Sequence, residues 1–160
     1  MKAFIKLIVV VVFVSILSCP LWAANSDSHD VTVTISAINE VNVSGAITMT
    51  INSATAGQQP DPVQDATSTL DYTTNSASNK KITAAYTVAD ATGITLETTV
   101  TSTSGNSAGQ QTLGTVAVDV ITFLSQCVDA GETITYDATA TVDALVGDHV
   151  FTVTYTMVDQ

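Results

Sequence analysis

Carboxylates are the side chains of this sequence best suited to ligand chemistry. Asp61 and Asp65 lie in a segment that contains Gly57 and two prolines, and Asp129 and Glu132 bracket the turn Asp129-Ala130-Gly131-Glu132. Because Ca²⁺ prefers hard oxygen ligands, these four residues are the metal candidates of the chain. Their spacing does not follow the EF-hand pattern, and a solvated acidic loop explains them more simply. We therefore expect the protein to work without a cofactor, with calcium as the alternative.

Sequence patterns typical of catalysis are missing. No serine stands in Gly-x-Ser-x-Gly, the turn that presents a nucleophile in many hydrolases, and there is no phosphate-binding glycine loop. Glycoside hydrolysis needs two carboxylates that face each other across a cleft. The only glutamates are Glu40, Glu97 and Glu132, and the strand pattern around Glu97 points it outward. We expect no catalytic residue and a non-enzymatic protein.

The first 23 residues have the pattern of a secretory signal peptide. Lys2 and Lys6 precede an unbroken apolar run from Leu7, and small residues follow at Ala23 and Ala24. The run is too short for a membrane span, which takes roughly 20 apolar residues, and Pro20 interrupts it. We expect cleavage after Ala23 and export to the periplasm, the cell surface or the medium.

Cysteine placement leaves two alternatives open. Residues 15–19, Ser-Ile-Leu-Ser-Cys, are similar to a bacterial lipobox, in which Cys19 would bear a lipid anchor; soluble export is the favoured prediction. Either outcome leaves Cys127 without an intramolecular partner. A lone cysteine usually packs as a small apolar side chain, and a disulfide between subunits is the alternative.

Net charge excludes two classes of partner. The chain carries −11 at neutral pH, and loss of Lys2 and Lys6 with the leader changes this to −13. Lys80 and Lys81 are then the only basic side chains, since the sequence has no arginine. Nucleic acids and anionic membrane surfaces both require clustered basic residues. We therefore expect neither as a partner.

The rest of the chain repeats with a period of two, apolar residues alternating with threonine. This pattern predicts strands with one buried face, and their spacing with intervening Gly, Pro, Asn and Ser segments favours an antiparallel two-sheet β-sandwich of the immunoglobulin-like kind. We expect a polar tether over residues 24–30 and a single domain over residues 31–160. The eight predicted strands are 31–35, 47–51, 66–73, 82–88, 94–100, 116–120, 134–142 and 151–157.

Alternation also predicts the core and one irregularity. Residues 120–124, Val-Ile-Thr-Phe-Leu, break the period of two, so a bend, a bulge or a helical turn is expected there. The side chains predicted to lie between the sheets are Ile35, Met49, Leu70, Tyr72, Tyr86, Leu96, Val118, Tyr136, Phe151, Val153 and Tyr155.

The last predicted strand follows Gly147 and alternates aromatic and aliphatic residues with threonine, as in Phe151-Thr152-Val153-Thr154-Tyr155. In this it resembles the closing strand of chaperone-usher and related bacterial pilus subunits. Residues 70–76 and 80–84 also look like parts of small exported bacterial proteins of unassigned activity. The resemblance implies a pilin-like sandwich that joins other subunits through strands.

A second strand could mediate such assembly. Val31, Val33 and Ile35 alternate with threonine behind a polar tether, and a tethered strand can add to the sheet edge of a neighbour. The assembly candidates are thus Val31, Val33, Ile35, Phe151, Val153 and Tyr155. We expect a structural or adhesive surface component that partners itself or other surface proteins. The alternative is a monomeric extracellular module that binds carbohydrate or a calcium-dependent ligand.

Overall fold

The structure, a computed structural model, describes residues 26–160, all of them strand, turn or extended chain without a helix. The predicted signal peptide, its cleavage site and Cys19 lie outside the described residues. Ser36–Gln160 forms a compact unit. Residues 26–35, which belong to a separate unit, contain no strand.

Within residues 26–160, nine strands form two antiparallel sheets. Sheet 1 has five strands in the order β1-β2-β8-β4-β6, and sheet 2 has four in the order β5-β7-β3-β9. The strands are β1 (Asn39–Val43), β2 (Val63–Thr74), β3 (Lys80–Thr87), β4 (Ile94–Val100), β5 (Asn106–Ser107), β6 (Gln111–Thr112), β7 (Val118–Leu124), β8 (Cys127–Ala140) and β9 (Thr152–Asp159).

One hydrophobic core joins the two sheets, as in a β-sandwich. Successive side chains in a strand point to opposite faces. A strand in which threonine alternates with apolar residues therefore has one apolar face that can be buried and one polar face that can stay in solvent. Sheet 1 supplies Leu70 and Tyr72 from β2, and sheet 2 supplies Ile82 from β3. The remaining buried apolar residues are Ala84, Leu96, Val100, Leu113, Val120, Ile121, Leu124, Ile134, Tyr136 and Ala138.

The all-β fold with two antiparallel sheets is confirmed, and two of the predicted strands are wrong. Residues 31–35 are extended but unpaired, and residues 47–51 alternate between half-buried and exposed side chains without joining a sheet. Alternation determines which side chains of a segment would face inward. A segment becomes a strand only if another segment also lies beside it and pairs with its backbone. The structure also contains β1, which alternation does not predict because Asn39-Glu40-Val41-Asn42-Val43 is mostly polar.

The predicted core is largely correct. Leu70, Tyr72, Leu96 and Tyr136 are buried, but Ile35 is 78 % exposed, so its assignment to the core is wrong. It fails because its segment forms no strand. The other predicted core residues are half buried against the core: Met49, Tyr86, Val118, Phe151, Val153 and Tyr155.

The irregularity predicted at residues 120–124 is confirmed. Pairing between β3 and β7 shifts register twice over this stretch, and Phe123 has a φ of 60° in the left-handed region. Val120 and Ile121 are consecutive residues and both fully buried, which a regular strand with one face in solvent would not allow. The shift lets β7 place both in the core, and it leaves Phe123 52 % exposed.

Gly105, just before β5, is packed too tightly to accept a side chain. A Cβ there would lie 2.6 Å from Leu124 Cδ2 and 2.8 Å from the carbonyl oxygen of Thr122. We predict that Gly105→Ala lowers the free energy of unfolding by about 1–3 kcal/mol, the usual cost of overpacking. Urea unfolding measures this, and Gly114→Ala is the control, since its nearest atom would be 3.9 Å away. Equal stability of the two variants would contradict this packing.

Candidate functional site

Three of the four calcium candidates lie in sheet 1, at two places along β8, and Asp61 precedes β2 in the chain. Asp129 and Glu132 stand at the beginning of β8, whereas Asp65 is opposite Tyr136, further along the same strand. Asp61 accepts a hydrogen bond from Ser53 Oγ at 2.8 Å, and Asp65 accepts two from Thr67. In residues 26–160, no three carboxylate, histidine or cysteine side chains form a group that could hold a metal. Calcium binding stays a prediction.

Asp129 ties the segment after β4 to β2 and β8. The hydroxyl of Tyr72 donates to Asp129 Oδ2 at 2.5 Å, and the backbone N–H of Ser104 donates to the same oxygen at 2.8 Å. Ser104 Oγ donates to Oδ1 at 2.7 Å. Ser102 Oγ lies 2.7 Å from the Tyr72 hydroxyl and accepts from the N–H of Gly105. This network holds residues 102–105 in place and includes the tightly packed Gly105.

Glu132 also accepts hydrogen bonds from the segment after β4, and its own side chain is buried. Its side chain is 7 % exposed, and its two oxygens accept from Thr101 Oγ1 at 2.6 Å and from the Thr103 N–H at 2.7 Å. All four carboxylate oxygens of Asp129 and Glu132 therefore have donors. Burying a carboxylate is costly unless it is hydrogen-bonded, so these bonds explain why the two acids are tolerated here.

The titration behaviour of the network fits a structural role. Burial opposes ionisation of Asp129, but the bonds from Tyr72 and Ser104 together outweigh it and hold the pKa of Asp129 below its usual value. Burial, and then the bond to Asp129, raises the pKa of Tyr72. A tyrosine that stays neutral and a carboxylate that stays charged form a stable donor and acceptor pair.

A second pair of carboxylates, not singled out from the sequence, lies on the outer face of sheet 1. Glu97 on β4 and Asp137 on β8 are register partners, so two like charges stand side by side. Gln110 Nε2 donates to Glu97 at 3.0 Å and lies 3.4 Å from Asp137, while Gln64 Nε2 donates to Asp137 at 2.7 Å. The outward direction of Glu97 is confirmed. The pairing depends on strand register, which sequence periodicity does not specify.

Three hydroxyls meet inside the sandwich. Tyr136 on β8 and Tyr155 on β9 share a hydrogen bond of 2.9 Å, and Thr98 Oγ1 lies 3.4 Å from the Tyr155 oxygen. Burial is the main cause that raises the pKa of both tyrosines. The Tyr155 hydroxyl of sheet 2 thus forms hydrogen bonds with hydroxyls of sheet 1, and buried polar groups require such partners. Phe151 packs edge-on against Tyr86 with ring centroids 5.0 Å apart.

Cys127 is half buried at the beginning of β8 and is a free thiol. Burial, followed by the nearby charge of Asp129, raises its pKa, which reduces the thiolate fraction needed for reactivity. Its packing against the core matches the prediction of a small apolar role. A disulfide between subunits stays a prediction.

The assembly candidates fall into two groups. Val31, Val33 and Ile35 are 74–78 % exposed and belong to no strand. Phe151, Val153 and Tyr155 pack half buried against the core, the latter two on β9.

Comparisons with protein-family models, with curated proteins and with solved structures found no match to this chain. None of residues 26–160 forms a helix long and apolar enough to cross a membrane.

We predict that Asp129→Asn lowers the free energy of unfolding by about 1–2 kcal/mol at pH 7, because bonds to a charged acceptor are lost. A depressed native pKa contributes stability above the unfolded value of about 3.9, and that stability disappears as the pH falls through the native pKa. The difference from wild type should therefore shrink in acid. Urea unfolding at pH 7 and below pH 3.9 measures it, with Asp143→Asn as the exposed control. A difference independent of pH would contradict the role of the charge.

His149 provides a pH-dependent contact between two loops. Its Nε2 lies 2.9 Å from the carbonyl oxygen of Leu145 and its Nδ1 lies 3.0 Å from that of Asp90. Carbonyl oxygens only accept, so both contacts form together only with the protonated ring. These bonds, that to Leu145 first, raise the pKa of His149.

We predict that NMR titration places the His149 pKa above the ordinary value of about 6.5. Since the native pKa is raised, its contribution to stability is complete below the unfolded value and disappears as the pH rises through the native one. His149→Gln should remove that part of the pH dependence. A native pKa at or below the ordinary value would refute the double contact.

Proposed function

We propose that this chain is an exported, non-enzymatic structural or adhesive component of the bacterial cell surface, and that it acts as a self-assembling fibre subunit. The single observation on which the proposal rests is the segment Val31–Ile35. It alternates valine or isoleucine with threonine, it is free of charge, and its apolar side chains are 74–78 % exposed. Strand-forming segments of this kind gain hydrophobic burial and backbone hydrogen bonds by joining a sheet edge.

Three further features agree with this proposal. The leader pattern of residues 1–23 directs export. The charge of the mature chain argues against nucleic acids and anionic membranes as partners. The carboxylates of Asp129 and Glu132 bind backbone and hydroxyl groups of the protein itself, an arrangement that stiffens a scaffold.

The fold is proposed to be of the immunoglobulin-like or pilin-like kind. The strand orders β1-β2-β8-β4 and β7-β3-β9 resemble the four-plus-three sheets of an immunoglobulin constant domain. Such sandwiches serve many functions, so this likeness supports the architecture and does not by itself identify a role.

We predict that Val33→Asp in the mature chain prevents assembly at concentrations where the wild type assembles. Burying a valine stabilises by about 1.5–3 kcal/mol, and a buried carboxylate adds a penalty. Because 1.4 kcal/mol is a factor of ten, the concentration required should rise at least about tenfold. Light scattering after size exclusion, with negative-stain microscopy of the same fractions, measures it.

The matched control is Val142→Asp, which places the same charge at a comparably exposed valine, 73 % against 78 %. It should assemble like the wild type. A wild-type chain that stays monomeric at all concentrations would contradict self-assembly and direct attention to the binding-module alternative, with ligand screening at residues 52–64 and 102–114.

A further inference from the structure

The strand β1 and the residue after it carry a sequence signal for covalent modification. Residues 42–44 read Asn-Val-Ser, and asparagine followed by any residue except proline and then by serine or threonine is the acceptor signal of N-linked glycosylation. The chain has seven asparagines, and Asn42 is the one that stands in this pattern. Glu40 lies two positions before it, which completes Glu-x-Asn-x-Ser. Bacterial oligosaccharyltransferases select acceptors with an acidic residue at that position.

The strand geometry brings the three recognition side chains to one face. Residues two positions apart in a strand point to the same side, so Glu40, Asn42 and Ser44 share a face and Val41 points the opposite way. Val41 packs against the core, whereas the other three residues are exposed. Ser44 continues the strand direction, since its N–H donates to the Thr69 carbonyl of β2 at 2.9 Å. The spacing of the signal thus matches the period of the strand, and the whole signal faces solvent.

β1 is also a short strand at the edge of its sheet. It ends sheet 1 and has five residues, paired with β2. After Ser44 the chain forms no strand until β2 begins at Val63, and a Cβ added at Gly45 would have nothing within 4 Å. Segments with few packed neighbours open more readily than central strands. An enzyme can therefore reach residues 40–44 from solvent without disturbing the core.

The functional atoms of the signal are accessible. Asn42 Nδ2 lies 3.4 Å from Asp71 Oδ2, which is longer than the usual N–H···O hydrogen bond, so the amide is held only weakly. The other oxygen of Asp71 accepts from the N–H of Gly131 at 2.7 Å. Ser44 Oγ accepts from the Thr69 N–H at 2.7 Å, which leaves its hydroxyl proton available for donation. Both groups that the acceptor signal requires can thus be bound by an enzyme.

We propose that Asn42 is an acceptor of N-linked glycosylation, modified by an oligosaccharyltransferase that uses an oligosaccharide carried on a lipid pyrophosphate. The Asn42 side-chain nitrogen attacks the anomeric carbon of the first sugar, and the bond from that carbon to the pyrophosphate oxygen breaks. The lipid pyrophosphate leaves with the electron pair, and the nitrogen gives up one proton to a base of the enzyme. Nothing is oxidised or reduced. The inference goes beyond the proposed function and shares with it only the export of the chain.

A glycan at Asn42 also changes the edge of sheet 1. Attached sugars are bulky and keep a surface hydrated. In the described sheet, β1 has a neighbouring strand only on the side of β2, and the unpaired backbone groups of an edge strand favour association with other chains. The glycan hinders such contacts at β1.

Transfer in vitro tests this acceptor with the folded mature chain. The chain is incubated with a purified bacterial oligosaccharyltransferase and a lipid-pyrophosphate-linked oligosaccharide, and its intact mass is measured. We expect the wild type to gain the mass of one oligosaccharide and Asn42→Gln to gain none. Glu40→Gln should lower the rate at least about tenfold, because the enzyme loses a contact to a charged group. Asn52→Gln is the control and should react like the wild type, since Asn52 is exposed and followed by serine but stands outside the signal. A wild type that gains no mass, while an acceptor peptide in the same reaction is modified, would overturn the proposal.

Substitution of Ser44 separates recognition from folding. Ser44→Ala should abolish the mass gain and Ser44→Thr should retain it, because serine and threonine both satisfy the signal. Circular dichroism and thermal unfolding should show both variants folded. Mass spectrometry of the chain isolated from the cells that export it should find sugar on the peptide that contains Asn42, and an unmodified peptide would refute the inference. None of these measurements depends on assembly, so their failure would leave the proposed function intact.

Discussion

The alternation of threonine with apolar residues is the constraint on which the rest of this structure depends. It gives every long strand one face that must leave water and one that can stay in it. Two sheets with this property bury their dry faces only against each other, and the result is a core shared by both. The fully buried Leu70, Ile82 and Ile134 come from strands of both sheets, so both sheets contribute to the same core.

Polar contacts inside and beside this core follow from the same constraint. The segment after β4 has backbone N–H groups, those of Thr103 and Ser104 among them, that need hydrogen-bond acceptors. Asp129 and Glu132 supply them from β8, where Glu132 takes an inward position of the alternating pattern. Two of the calcium candidates thus accept hydrogen bonds from the protein's own backbone. Both lysines of the described chain form ion pairs, Lys80 with Asp159 and Lys81 with Asp119, which link neighbouring strands of sheet 2.

Sequence periodicity was sufficient for the class of fold and for most of the core, because both depend on which residues face inward. Periodicity was insufficient for strand pairing and for contacts between strands, because these depend on which segment lies alongside. Residues 47–51 have the alternation of a strand but pair with none, and β1 pairs with β2 despite its polar composition. The closeness of Glu97 and Asp137, and of Tyr72 and Asp129, likewise results from register between segments far apart in the chain. The disturbance at residues 120–124 was predictable because it is local.

The central pair of sheet 1 has a kinetic consequence. β2 and β8 are neighbours in the sheet, yet Tyr72 and its partner Asp129 are 57 residues apart along the chain. Closing so long a loop costs conformational entropy before any contact compensates for it, and proteins dominated by such non-local pairing fold on the timescale of milliseconds to seconds. The chain therefore spends an appreciable time with its strands unpaired, and in that interval the mutual repulsion of its negative charges opposes aggregation.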